Sequence, residues 1–265
     1  MEIGGNTRVF ALLGDPVAHS LSPRMQNAGF RALGIDAVYV PIRCQADELS
    51  ELMTSLARQG GGGNVTIPHK VAAARVLSDG GPGLPLCNSF WGRDGKVAGG
   101  ETDSGAILTV LQSLGGFGRQ WLLLGTGGSA HAALLAAKRA GARIAVRSRS
   151  VEHREQLEAQ ARAEGIEPGE AEHCDVVINC TPLGLQNGDA LPVEPDLVPA
   201  CRVALDLVYR RGETAWVRAM RAAGRVAADG RGVLLEQGAA AFELWFPDRS
   251  APREVMGAAL RSALE

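Results

Sequence analysis

Short apolar runs alternate with segments of helical spacing along almost the whole chain. That alternation commits a chain to strand, helix, strand crossovers, and so to an α/β fold built on parallel sheets. Arg8–Gly14 predicts a strand, 22–33 a helix capped by Ser22 with Pro23 in its first position, 38–43 a strand and 46–57 a helix. Gly60 to Gly63 break the pattern before a short strand at 64–66, which runs through Pro68 into a helical stretch ending at Leu77. Residues 79–85 read as a Gly/Pro-rich loop, and Asp94-Gly95 as the turn of a hairpin.

A helix over 104–114 precedes a clean βαβ unit: a buried strand at 121–124, the turn Gly125-Thr126-Gly127-Gly128, an Ala-rich helix from Ser129 and Ala130 to 140, and a strand at 143–146. Glycines in such a turn let the backbone approach a pyrophosphate, whose charge sits at the helix N-terminus. An acidic residue at the end of the second strand would hydrogen-bond the ribose hydroxyls of NAD, but Arg147-Ser148-Arg149-Ser150 stands there. Guanidinium and hydroxyl donors suit a dianionic 2′-phosphate and so predict NADP. Further strands are predicted at 176–180, 203–208 and 225–228.

At 265 residues, the chain has room for one large domain or two modest ones. A net charge of −2 gives no general attraction to nucleic acid or to anionic membrane, so a small molecule is the expected partner. No apolar run reaches the ~20 residues of a membrane span, and the first residues carry no secretory pattern, which predicts a cytoplasmic protein. Cys44, Cys87, Cys174, Cys180 and Cys201 are scattered with no CxxC spacing, which predicts buried, reduced thiols and no metal site. Lysine is scarce: Lys70, Lys96 and Lys138 are the whole complement among 27 basic residues.

Over nearly its full length the chain resembles the shikimate dehydrogenases. The resemblance rests on His19-Ser-Leu-Ser-Pro23, Asn64-Val-Thr-Ile-Pro-His-Lys70, Cys87-Asn-Ser89, Glu101-Thr-Asp103, Gly125-Thr-Gly-Gly-Ser-Ala130, Ser148-Arg-Ser150, Asn179-Cys-Thr-Pro-Leu-Gly184, Asp206-Leu-Val-Tyr209 and Gly232-Val-Leu-Leu-Glu-Gln237. It implies a two-domain α/β protein: an N-terminal substrate domain over 1–105, completed by a C-terminal helix over 237–265, a Rossmann domain over 106–236, and an active site in the cleft between them. It implies NADP-linked interconversion of 3-dehydroshikimate and shikimate by a monomer or homodimer, with Lys70 and Asp103 as the acid–base pair. Ser20 and Ser22 are implied to bind the substrate carboxylate, and Asn64, Thr66, Asn88 and Gln237 its ring hydroxyls. Gly125 to Ala130, Ser148, Arg149, Ser150, Thr181, Val208, Gly230 and Val233 are implied to bind the cofactor.

Transfer of a hydride to or from a secondary alcohol carbon requires a group that exchanges the hydroxyl proton, and a lysine held by a carboxylate can do so. Outside the family's motifs, Lys70 would read as a surface lysine at a helix start, Asp103 as a helix cap, and Asn88 as a turn residue. His19 and His69 are given no catalytic role by the resemblance and are expected either to support the site's contact residues from behind or to be structural, and Cys87 and Cys180 to serve packing. Four positions depart from the family's usual pattern: Glu101 for an Asn, Val233 for a Met, Arg211 for a Pro, and Cys87-Asn-Ser89 for Ala/Val-Asn-Thr. Two other readings stay open: a paralogue acting on quinate or another shikimate-like polyol acid with NAD or NADP, and a nucleotide-binding sensor with weak turnover.

Overall fold

A computed structural model describes residues 3–77, 86–116 and 118–265. The Gly/Pro-rich stretch at 79–85 lies outside them. The chain divides into two compact units, Met1–Thr102 with Leu235–Ala263, and Asp103–Leu234 with Leu264–Glu265.

In the first unit the chain runs β1 (Arg8–Gly14), α1 (Ser22–Ala32), β2 (Ala37–Arg43), α2 (Leu49–Arg58), β3 (Gly62–Val65), α3 (Lys70–Val76), β4 (Ser89–Arg93) and β5 (Lys96–Gly100). The sheet order is β2-β1-β3-β4-β5, with the first three strands parallel and the last two antiparallel. This unit is therefore a mixed sheet, its parallel strands following from the alternation and its antiparallel pair from the hairpin at Asp94-Gly95. Its hairpin turns at Asp94 (φ 50°) and Gly95 (φ 74°), the paired left-handed conformations that a two-residue hairpin needs.

Three local expectations are corrected here. Gly62 and Gly63 belong to β3 rather than to a break before it, because β3 lies between β1 and β4. A Cβ at Gly62 would strike the Phe90 carbonyl oxygen, and one at Gly63 that of Ala11. Helix α2 starts at Leu49 rather than 46, because the Glu48 carboxylate accepts the Gln45 N–H at 2.7 Å and closes a turn ahead of it. Ser22 is not the cap of α1: it is the first helical residue, Leu21 takes the cap position, and the Ser20 hydroxyl accepts the Ser22 N–H at 3.2 Å.

The second unit contains α4 (Asp103–Ser113), β6 (Gln120–Leu124), α5 (Gly128–Ala140), β7 (Arg143–Arg147), α6 (Val151–Ala163), β8 (Val176–Asn179), β9 (Val203–Asp206), α7 (Ala215–Ala222) and β10 (Val226–Ala228). Its sheet is wholly parallel in the order β10-β9-β8-β6-β7. Strand order reverses at β6, the place where doubly wound sheets open a ligand crevice at their C-terminal ends. Buried Trp121, Leu123, Leu134, Ile144, Ile178 and Leu205 belong to the core on one side of this sheet. β8 and β9 stop at Asn179 and Asp206, short of the predicted 180 and 208, because these two side chains hydrogen-bond each other at 2.8 Å and end the ladder.

Two last helices follow, α8 (Arg231–Trp245) and α9 (Arg253–Leu264). Most of both belongs to the first unit, where Phe242, Trp245 and Phe246 of this segment pack on Phe10 and Phe30 with ring centroids 4.8–5.9 Å apart. Arg253 joins α9 to α8 through a bidentate bond to Glu243 and a bond to Glu236.

Candidate active site

Within the first unit, the substrate-side positions gather where β1 and β3 end and α1 and α3 begin. Lys70 opens α3, half-buried, and its carbonyl accepts the Cys87 N–H at 3.0 Å. The next residue, Asn88, accepts the Thr102 N–H on Oδ1 at 2.8 Å and donates from Nδ2 to the Thr102 hydroxyl at 3.0 Å. Thr102 is directly followed by Asp103, the first residue of α4. Two consecutive residues thus anchor the backbone of Lys70 and that of the residue before Asp103. Asn88 is not the turn residue its local sequence suggests, since it is 2% exposed and its amide is engaged.

Asn64 is buried, accepts the Tyr39 hydroxyl at 2.9 Å and donates to the Asn88 carbonyl at 3.0 Å. Thr66 follows β3 half-buried, with its N–H on the Leu13 carbonyl at 2.9 Å. Ser22 is buried and Ser20 half-buried at the start of α1. Gln237 lies half-buried on α8, and the carbonyl of the next residue, Gly238, accepts Gln26 Nε2 at 2.9 Å. The helix carrying Gln237 is therefore bonded to the helix that starts at Ser22. Glu101 is half-buried beside these groups and adds to the rise in the Cys87 thiol, which burial pushes up to about 11.

Within the second unit, Gly125 follows β6 with φ +100°, and a Cβ there would lie 2.9 Å from Thr181 Cγ2. Thr181 itself follows β8, so the glycine turn and Thr181 meet at the strand-order reversal. Gly127 takes the N-cap position of α5 in extended conformation, no side chain caps the helix, and a Cβ on it would meet nothing within 4 Å. An uncapped N-terminus with open space at Gly127 fits a pyrophosphate. Thr126, Gly128 and Ser129 are half-buried around it, and Ala130 is buried behind.

At the end of β7, Arg147 and Arg149 are exposed, Ser148 accepts the Ser150 N–H at 3.3 Å, and Ser150 caps α6 by accepting the His153 N–H at 3.2 Å. The two hydroxyls keep their protons for donation, so this corner presents donors and no carboxylate, as a 2′-phosphate requires. Val208 is buried with its N–H on Asp206. Gly230 donates to the Val208 carbonyl at 3.0 Å and has no room for a Cβ against the Leu207 carbonyl. Val233 is 9% exposed and packs in the core of this unit.

Sequence reading misses the polar knot beneath these positions. Asp206 is fully buried and accepts from Asn179 Nδ2, the Val208 N–H and the Thr214 hydroxyl, while Asn179 Oδ1 accepts the Thr181 hydroxyl at 2.6 Å. Burial raises the Asp206 carboxyl above its ordinary range against the pull of these donors. The one signal for it in the sequence is a polar residue closing each of two wholly apolar strands. All five cysteines are buried, with the thiols of Cys174, Cys180 and Cys201 also raised by burial, as packing residues should be. His69 is buried with Nε2 2.9 Å from the Cys44 carbonyl, and His19 is exposed. Among the described residues, no group of three or more His, Cys, Asp or Glu could hold a metal, and no helix is long and apolar enough to cross a membrane.

The wholly parallel sheet with an uncapped glycine turn at its reversal defines a dinucleotide-binding domain. Residues 12–80 match the family model of the shikimate dehydrogenase substrate binding domain, and residues 230–261 that of the shikimate 5′-dehydrogenase C-terminal domain. A shikimate dehydrogenase (NADP+) of Symbiobacterium thermophilum is 37% identical, over 98% of this chain and 96% of its own length. Among solved structures, a shikimate dehydrogenase in complex with NADP+ superposes with a TM-score of 0.88 at 26% identity, covering 100% of this chain and 98% of the other. The Thermus thermophilus shikimate 5-dehydrogenase in complex with NADP(H) and shikimate gives 0.84 at 30% identity, covering 97% and 99%. The chain belongs to the shikimate dehydrogenase family.

Proposed function

We propose that this chain is a cytoplasmic, NADP-dependent oxidoreductase interconverting 3-dehydroshikimate and shikimate, with Lys70 and Asp103 as its acid–base pair. The observation that carries the reading is the common anchoring of Lys70 and Thr102 on Cys87 and Asn88, which gives a scarce lysine and the residue just before Asp103 neighbouring backbone supports. NADPH, when bound, supplies the hydride that reduces the substrate carbonyl carbon. The Lys70 ammonium donates a proton to the carbonyl oxygen, and in the reverse direction its neutral amine accepts the hydroxyl proton. Asp103, the second member of the pair, serves to orient the amine.

The Ser20 and Ser22 hydroxyls donate to the substrate carboxylate, while Asn64, Thr66, Asn88 and Gln237 meet the ring hydroxyls. Asn88 spends its carbonyl oxygen and one amide hydrogen on Thr102, which leaves its second amide hydrogen for substrate. The α5 N-terminus at Gly127 to Ala130 receives the pyrophosphate, and Ser148, Arg149 and Ser150 receive the 2′-phosphate. Gly125, Thr126, Thr181, Val208, Gly230 and Val233 line the rest of the cofactor site.

Turnover of shikimate and quinate, each with NADP and NAD and followed by the absorbance of the reduced nicotinamide, tests the reading. Shikimate with NADP should give the highest kcat/KM. The second reading, a quinate-type paralogue, is favoured by the carboxylate of Glu101, and it takes over if quinate is preferred. Tight NADP binding with no turnover would make the chain a sensor.

A further inference from the structure

Tyr39 is 1% exposed in β2, and its hydroxyl donates to Asn64 Oδ1 in β3 at 2.9 Å. Strand β1 lies between those two strands, so the side chain reaches past an entire strand to make this bond. Its backbone is held for the purpose: Asn27 of α1 accepts the Tyr39 N–H at 2.9 Å and donates to the Tyr39 carbonyl at 2.8 Å, pairing with the outer edge of β2 as another strand would. The ring packs beside Trp245, centroids 6.0 Å apart.

The other end of the Asn64 amide donates to the Asn88 carbonyl at 3.0 Å. A carbonyl oxygen only accepts, so the amine end must face Asn88 and the oxygen end must face Tyr39. Burial keeps the Tyr39 hydroxyl protonated, raising it above the ordinary tyrosine value, so it is a permanent donor. Asn64 is 5% exposed, which leaves no bulk water to replace either partner.

We propose that Tyr39 is a positioning residue for substrate: its hydroxyl locks the Asn64 amide in one orientation, so that a ring hydroxyl of the polyhydroxy acid always meets the same amide edge. The inference rests on the assignment of Asn64 to the substrate site under the proposed function. Without Tyr39, the Asn64 oxygen is a buried acceptor with one partner lost, and the amide is held only by its bond to the Asn88 carbonyl, free to swing about it before each binding event.

Tyr39→Phe keeps the ring and removes only the hydroxyl. We expect KM for shikimate to rise about tenfold, the scale of one lost buried hydrogen bond, with KM for NADP nearly unchanged and the melting temperature lowered by only the few degrees that the same bond is worth. In an Asn64→Ala background the same substitution should change KM for shikimate less than about twofold, because no amide is left to orient. Equal losses in both backgrounds, an equal loss for NADP, or an unaltered KM in Tyr39→Phe would overturn the assignment. If Tyr39→Phe does not fold, the Asn64 side-chain amide protons of the wild-type protein carry the test. Both protons are expected to be strongly protected from exchange with solvent, and exchange at the rate of a solvent-exposed asparagine overturns the proposal. A wild type that turns over no shikimate with NADP removes the functional reading itself, an outcome distinct from an active wild type whose two substitutions act additively.

Discussion

Asn88 holds Thr102 by both ends of its amide, accepting the backbone N–H at 2.8 Å and donating to the hydroxyl at 3.0 Å. Asp103 is the next residue in the chain, so this grip fixes the backbone that leads directly into it. Asn88→Ala would leave the buried Thr102 N–H without its acceptor, a loss of ~1–3 kcal/mol. We expect kcat to fall about ten- to hundredfold with NADP affinity preserved, and Asn88→Asp, which keeps an acceptor for that N–H, to recover part of the loss. Steady-state kinetics with calorimetric titration of NADP decide it. Unchanged kcat in Asn88→Ala would separate this bond from the chemistry.

Lys70→Ala should lower kcat by roughly 10²–10⁴, the range of a lost acid–base group, with NADP binding intact. Glu101 should act in the opposite sense. Its carboxylate is half-buried near Cys87, and if it faces the substrate it repels an anion, so Glu101→Asn should raise kcat/KM for shikimate, by a margin that shrinks as salt screens the charge, whereas little change would mean that Glu101 points outward or pairs with an arginine. Measuring shikimate and quinate at low and high salt separates repulsion from specificity. A fall on shikimate with a gain on quinate would make Glu101 a specificity residue, and full activity in Lys70→Ala would refute the acid–base assignment.

The architecture is legible because its signals are local. The period of Trp121 to Leu124, the glycine turn and the alanine helix each announce themselves within a few residues, as do Asp94-Gly95 and the Ser150 cap. What the sequence conceals is long-range. Gly62 and Gly63 look like a break until β1 and β4 flank them and require residues with no Cβ. Tyr39 sits in an apolar run and shows no partner, because Asn64 is 25 residues away and two strands over. The Asn179–Asp206–Thr214 knot likewise joins residues whose only common property is their place at the ends of neighbouring elements. Ser22 reads as a cap in sequence and is none, because the helix begins one residue earlier than that reading places it, with Ser22 already helical and Leu21 at the cap position.

Arg149 is exposed beside Ser148 and Ser150, in a corner without a carboxylate. Only NADP carries the phosphate it would hold, so Arg149→Ala should raise KM for NADP about ten- to hundredfold and leave NAD nearly untouched, as the loss of a charge-assisted hydrogen bond of ~1.5–3 kcal/mol requires. Parallel kinetics with the two cofactors are the measurement. Equal effects would transfer the role to Arg147.

Ser20 and Ser22 can be told apart. Since the Ser20 hydroxyl accepts the Ser22 N–H at 3.2 Å, Ser20→Ala should cost both helix stability, about 0.5–1 kcal/mol, and affinity for the substrate carboxylate. Ser22→Ala, at a position whose side chain caps nothing, should weaken shikimate binding without that loss of helix stability. Thermal unfolding beside KM for shikimate checks the pair, and a larger stability loss in Ser22→Ala would restore its capping role.

Asp206 makes a prediction about pH. Burial raises its carboxyl above the ordinary 3.8, so in the window between that value and its raised pKa the folded chain binds more protons than the unfolded one. The Asp206 contribution to stability is therefore greatest below the ordinary value and is lost as pH rises through the raised one. Glu243 has the opposite sign, because the Arg253 guanidinium lowers its pKa, and its contribution is lost as pH falls. Asp206→Asn keeps an acceptor for Asn179 and for the Val208 N–H, and the Thr214 hydroxyl can turn to accept from the new amide. Chemical denaturation of wild type and Asp206→Asn across the acid range cancels Glu243 and every other shared group in the difference. That difference should move in favour of the variant as pH rises from below 3.8, with most of the change complete once Asp206 is ionised in the folded protein. A difference that does not vary with pH would mean that the donors from Asn179, Val208 and Thr214 offset the burial, leaving the folded carboxyl to titrate as it does in the unfolded chain.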